Sequence, residues 1–93
     1  MSAVTRLGDL TTGHVPFPPT PSIAASADVF VNGLGVVRVG DAYQSHCSGS
    51  CHVGVLQTGS PTVFVNGLPI GRVGDPVSCG DFVGMGSMNV FAG

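Results

Sequence analysis

Val29-Phe30-Val31-Asn32-Gly33-Leu34 and, shortly after, Arg38-Val39-Gly40-Asp41 each occur twice in this chain. Val63-Phe64-Val65-Asn66-Gly67-Leu68 repeats the first block letter for letter and Arg72-Val73-Gly74-Asp75 the second, both at a spacing of 34 residues. Within each copy short apolar runs flank Asn-Gly. Both residues tolerate positive φ, and the pair is the strongest local signal for a β-hairpin. Hairpin turns are therefore expected at Asn32-Gly33 and Asn66-Gly67. The strands read as 28–31 with 36–39, 62–65 with 70–73, and a fifth at 88–91. Alternation in Val-Phe-Val sends the valines to one face and the phenylalanine to the other. Both faces are apolar, so one meets the core and the other a neighbouring repeat or another protein.

A third copy is split between the chain ends. Arg6-Leu7-Gly8-Asp9 matches the second block. Ser87-Met88-Asn89-Val90-Phe91 answers Ser60-Pro61-Thr62-Val63-Phe64 and Ser26-Ala27-Asp28-Val29-Phe30. Residues 6–9 have no strand of their own before them, so the two end fragments are expected to complete each other in space. The units lie around 28–42 and 62–76, with a split unit from 1–14 plus 87–93, all in a single domain over 1–93. Self-similarity at such a period means one supersecondary unit repeated about an axis. Helical periodicity is nearly absent, and the expected object is all-β, closed and roughly three-fold. The repeat turns comprise Arg6, Gly8 and Asp9; Arg38, Gly40 and Asp41; and Arg72, Gly74 and Asp75. In each, glycine supplies an unusual backbone angle and aspartate is expected to accept hydrogen bonds from the following amides. Residues 15–21, with Pro16, Pro18, Pro19 and Pro21, read as an extended surface connection.

A chain of 93 residues buries only roughly 60–65% of its unfolded surface, so its core is modest and needs support. Charged residues make up 9% of the chain, against about 25% in an average domain, while apolar residues reach 43%. That balance excludes disorder and implies apolar surface left for a partner. The chain reads as a subunit. Its net charge is −2 and Arg6, Arg38 and Arg72 are its only fixed cations. No basic footprint for phosphates exists, and nucleic acid is not an expected partner. No apolar run reaches the roughly 20 residues of a membrane span, and no signal peptide is recognisable. Synthesis in the cytoplasm is expected, with any export by another route. Three cysteines cannot all pair, and thiols made in the cytosol stay reduced, which favours metal binding.

His14, His46 and Cys79 lie five, five and four residues beyond the repeat aspartates. Equivalent positions in repeated units converge about one axis, so three ligands are aimed at one point. A tetrahedral zinc site needs a fourth. His52 is preferred, because a six-residue return from His46 brings a glycine-containing loop back to the metal. Cys51 is its rival, and Cys47 and Cys51 otherwise read as small loop residues or as a disulfide formed on exposure to oxidant. Four protein ligands close the coordination sphere, and closed sites are structural. Such a site contributes up to roughly 10–16 kcal/mol by analogy with zinc-finger peptides. One zinc per chain is expected, and the ligand types also admit iron.

On these residues the chain resembles the PAAR-repeat family, which sharpens the spikes of type VI secretion systems, contractile phage tails and related injection machines. The matching positions are Gly8-Asp9, Gly13-His14, Val31-Asn32-Gly33 with residues 38–41, His46, His52, Gly59-Ser60 with residues 63–67, residues 72–75, and Cys79-Gly80. The name-giving Pro-Ala-Ala-Arg is degenerate, appearing as Gly35-Val36-Val37-Arg38 and Pro69-Ile70-Gly71-Arg72. The resemblance implies a small cone of β-hairpins with pseudo-three-fold symmetry. Its base caps a homotrimeric β-helical spike, one copy per trimer, and its tip holds zinc through three histidines and one cysteine. By position these are His14, His46, His52 and Cys79, with Cys47 and Cys51 departing from the simplest pattern. Membrane piercing would be mechanical, any effector would bind separately, and the assembled tip would be delivered outside the cell.

An enzyme is not expected. A zinc hydrolase needs an open metal position and a general base. The chain has no glutamate, and of its carboxylates Asp9, Asp28, Asp41, Asp75 and Asp81, three belong to the repeat turns. Asp81, two residues past Cys79, is the one carboxylate placed for such a role. A free-standing zinc-stabilised scaffold for another trimeric partner is the alternative to a spike tip.

Overall fold

Asn-Gly turns and abrupt strand ends shape the whole molecule. The computed structural model describes residues 2–93, and among them every regular element is a short β-strand. In chain order these are β1 (Ser2–Ala3), β2 (Phe30–Val31), β3 (Leu34–Gly35), β4 (His46–Ser48), β5 (Ser50–His52), β6 (Phe64–Val65), β7 (Leu68–Pro69) and β8 (Phe91–Ala92). They form four antiparallel pairs, β1–β8, β2–β3, β4–β5 and β6–β7. Asn32 and Gly33 have φ of 54° and 79°, and Asn66 and Gly67 have 55° and 78°. Two successive positive φ values make the tight turns that match strand twist. The register follows, with Val31 opposite Leu34 and Val65 opposite Leu68. Between β1 and β8, Ser2 faces Ala92 and Ala3 faces Phe91, so the chain ends meet in a third pair.

The return strands begin earlier than the sequence suggests. They occupy 34–35 and 68–69 instead of 36–39 and 70–73, because a two-residue turn forces pairing at once. Residues 36 and 70 still donate to the Val29 and Val63 carbonyls of their own units but also bridge another unit, in the set Arg6 to Val36, Arg38 to Ile70 and Val4 to Arg72. The last strand shifts similarly, from 88–91 to 91–92, and residues 6–9 do have a strand before them, β1. Two more rings of three bridges continue the symmetry. One is Leu10 to Pro21, Ala42 to Val55 and Pro76 to Phe82; the other is Thr11 to Val83, Ser22 to Tyr43 and Leu56 to Val77.

The repeat turns superpose in their chemistry. Gly8, Gly40 and Gly74 have φ of 88°, 93° and 93°, a region open to glycine. The aspartates do not cap the following amides as expected. Each carboxylate folds back onto the arginine three residues earlier, whose backbone amide donates at 2.8 Å in all three copies. The guanidinium then spans both carboxylate oxygens through Nε and Nη2. A rigid planar fork suits this bidentate geometry. Arginine is thereby the natural residue here, and its third nitrogen is free to reach a neighbour.

Those neighbours are the hairpin turns. Arg6 Nη1 donates to Asn32 Oδ1 at 3.1 Å and Arg38 Nη1 to Asn66 Oδ1 at 3.0 Å. Ser87 and Ser26 hydroxyls donate to the same two oxygens. At the third corner the Gly93 carbonyl takes the place of the asparagine oxygen and accepts from Ser60. Beneath this ring lie two apolar layers. Val4, Val36, Val65, Ile70 and Ala92 form the first, next to the hairpins; Val37, Tyr43, Leu56, Val77 and Val83 form the second. The molecule measures 37 × 23 × 22 Å, a small cone of hairpins. No helix among the described residues is long and apolar enough to cross a membrane.

Candidate metal centre

Cys79 packs against the second apolar layer, which places the ligand cluster at the end of the molecule away from the hairpin ring. His14, His46, His52 and Cys79 each offer one ligand atom there, and all four atoms lie within 4.8 Å of one another. Three local structures bring them together. His14 sits in a tight loop closed by reciprocal backbone bonds with Phe17. His46 and His52 face each other across β4–β5, around Gly49 at φ 79°. Cys79 rides a turn in which the Gly80 amide donates to the Val77 carbonyl and the Val77 amide to the Asp81 carbonyl.

The surroundings orient the rings. His46 Nδ1 donates to the Pro18 carbonyl at 2.7 Å, which leaves Nε2 bare for a ligand. That Nε2 is 2.5 Å from His52 Nε2 and 3.8 Å from Cys79 Sγ. Phe17 covers all three imidazoles, with ring centroids 5.0, 5.1 and 4.1 Å from His14, His46 and His52. Gly54 completes the cradle, since a Cβ there would stand 2.8 Å from Cys79 Sγ and 2.6 Å from Val77 Cγ1. Residues 15–21 are thus more than a surface connection. Phe17 and Pro18 belong to the site, and the proline-rich composition hid that role.

The surroundings keep His52 neutral. Burial, and after it the neighbouring His46 and His14, lower the pKa of His52, against a weaker upward pull from Asp81. The neutral imidazole, the form that binds metal, is therefore favoured. Both nitrogens of His14 are buried and lack hydrogen-bond partners, as does Asp81 Oδ2. Burial works to raise the Asp81 pKa, yet the nearby Thr11 side chain, the hydrogen bonds from the Phe82 amide and Thr12, and the neighbouring His14 outweigh it and hold the pKa down. Two imidazole Nε2 atoms in contact need a proton or a cation between them. In a tetrahedral zinc site such nitrogens stand about 3.3 Å apart and a nitrogen and sulfur about 3.6 Å. The donor set fits that group with a sub-ångström opening of the His46–His52 edge.

The PAAR motif family model matches residues 12–85, a span that contains all four clustered residues. The chain belongs to the PAAR-motif family. That membership supports a spike-tip type of structural protein from an injection machine, and PAAR motifs bind metal. No match was found among curated proteins.

For Cys47 and Cys51 in this PAAR domain, the disulfide is the one of the open readings that the structure shows. It runs across β4–β5, with the two residues directly opposite each other and next to the His46–His52 pair. Cross-strand register supplies the proximity that such a bond needs. The staple closes the hairpin that carries two of the four clustered residues. Replacing both cysteines by serine is expected to cost about 1–2 kcal/mol in urea unfolding. Metal content by mass spectrometry should stay unchanged, and a loss of metal in that variant would return one of these sulfurs to the ligand set.

Proposed function

We propose that this chain caps a trimeric β-helical spike and sharpens it for mechanical membrane piercing by a contractile injection system, with zinc fixing the tip. The observation that carries this reading is the end of the molecule opposite the ligand cluster. Phe30, Phe64 and Phe91, one from each hairpin unit, are 56%, 56% and 50% exposed. Val29, Val63, Leu34, Leu68 and Met88 are exposed at the same end. Three equal aromatic groups in pseudo-three-fold array complement a homotrimer, and one copy suffices per trimer. The end of a β-helical spike carries open strand edges, which invite aggregation unless covered. Strand addition from a cone with matching symmetry covers them.

At the other end, His14, His46, His52 and Cys79 would hold the metal, which would add a further tie among three chain segments when bound. A closed four-donor set suits a structural ion, and this supports a non-enzymatic role. Iron fits the same donors, and metal analysis separates it from zinc. No effector domain is part of the proposal; cargo would bind the assembled tip separately. Assembly on a spike would also carry the chain outside the cell.

The test is to mix the purified chain with a trimeric β-helical spike protein and weigh the product by native mass spectrometry. One chain per trimer is expected. Phe64→Asp should weaken that complex about thirtyfold, roughly 2 kcal/mol for one buried aromatic anchor, with fold and metal content unchanged. Three chains per trimer, or an unchanged affinity, would count against capping and favour a scaffold for some other partner.

A further inference from the structure

Asp81 is the one buried carboxylate that the repeat architecture does not use. Asp9, Asp41 and Asp75 each engage an arginine, and the chain has no fourth fixed cation to offer. Asp81 is 1% exposed. Its Oδ1 accepts from the Thr12 hydroxyl at 3.0 Å and the Phe82 amide at 2.8 Å. Its Oδ2 has no hydrogen-bond partner and stands 3.6 Å from His14 Nδ1, beyond the roughly 2.7–3.2 Å of a formed bond. Thr12 and His14 share one loop, while Asp81 shares a turn with Cys79. The carboxylate therefore locks two ligand-bearing segments against each other.

We infer that Asp81 is a positioning residue of the metal centre: its Oδ2 receives the Nδ1–H of His14, turning Nε2 of that ring toward the ion, and its charge balances the bound cation. The inference rests on the proposed metal reading. Three neutral imidazoles and one thiolate around a divalent ion leave one net positive charge in the site. A single buried carboxylate at the ring of His14 brings the total to zero. A monovalent ion would instead leave the site negative, so Asp81 favours divalent metals. Ligand histidines commonly donate their second ring nitrogen to such a carboxylate, and losing it typically weakens metal binding about 10–100-fold.

Asp81→Asn separates positioning from turn structure. The asparagine oxygen still accepts from Thr12 and the Phe82 amide, but the amide nitrogen cannot accept from His14. Zinc affinity is measured by competition with a chromophoric chelator on wild type and variant. A second readout is the nitrogen-15 spectrum of the zinc-loaded wild type, which reports the ring nitrogen of His14 that carries the proton. The expected result is one zinc per chain in both proteins, affinity about 10–100-fold weaker in the variant, and a wild-type His14 protonated at Nδ1. Equal affinities, or a wild-type His14 protonated at Nε2, would overturn the role; the spectrum decides alone if the variant fails to fold. A wild type that binds no divalent metal overturns the metal centre itself, and this inference with it, and is distinguishable from both.

Discussion

Stripping the metal from the purified chain with a chelator is expected to lower its melting temperature by about 20 °C. The two apolar layers hold five buried side chains each, and several of these are valines or alanine. Strands of two or three residues add few ladder bonds. At the tip the loops are joined by a few hydrogen bonds, among them the Thr12 amide to the Phe82 carbonyl, and by the cluster of His14, His46, His52 and Cys79 under the Phe17 cover. An ion held at a thousand times its dissociation constant stabilises by about 4 kcal/mol. For a domain of this size each kcal/mol moves the transition by about 4–8 °C. His46→Ala should reproduce the loss without chelator, because His46 Nε2 lies between His52 and Cys79. Scanning calorimetry checks both, and the variant should no longer respond to chelator. A His46→Ala protein that melts like the wild type would leave the tip held by packing alone.

Arg38→Ala is expected to cost about 3–4 kcal/mol without changing metal content. Its guanidinium supplies two of the three donors on the Asp41 carboxylate and also anchors Asn66 of the next hairpin. Asp41 is buried, so truncating the arginine strands an uncompensated charge, which costs far more than losing an exposed ion pair. The backbone amide of residue 38 still donates, which keeps the loss below the upper end of that range. Arg38→Lys should recover little, since a point charge cannot span both oxygens. Urea unfolding measures the difference, and a cost under about 1 kcal/mol would show that the clamp is dispensable.

Much of this was legible because the chain repeats itself. Asn32-Gly33 and Asn66-Gly67 marked the hairpins through a backbone requirement that few residues meet, and the three Arg-x-Gly-Asp copies marked the corners. The all-β cone and its family follow from those letters. Strand limits were less legible, because they depend on where a strand begins to bridge another unit, a tertiary event at Val36 and Ile70. Around the tip, spacing after the repeat aspartates singled out His14, His46 and Cys79, and the structure brings these together with His52. Phe17, Pro18, Thr12 and Gly54 carried no such mark. Their roles arise from shape, from the Pro18 backbone carbonyl and from the Thr12 hydroxyl reaching a distant carboxylate, none of which spacing announces. The Cys47–Cys51 disulfide was among the readings the sequence left open, and cross-strand register, which spacing alone does not supply, favours it over the others. Asp81 was visible as an isolated carboxylate, but its neighbour His14 lies far away along the chain.

Native mass spectrometry of the purified chain with metal quantified, on wild type and on His14→Ala, His46→Ala, His52→Ala and Cys79→Ser, tests the central claim most directly. The account predicts one tightly held zinc per wild-type chain, lost or weakened in all four variants together with thermal stability. A wild type that is stably folded with no metal bound would contradict it.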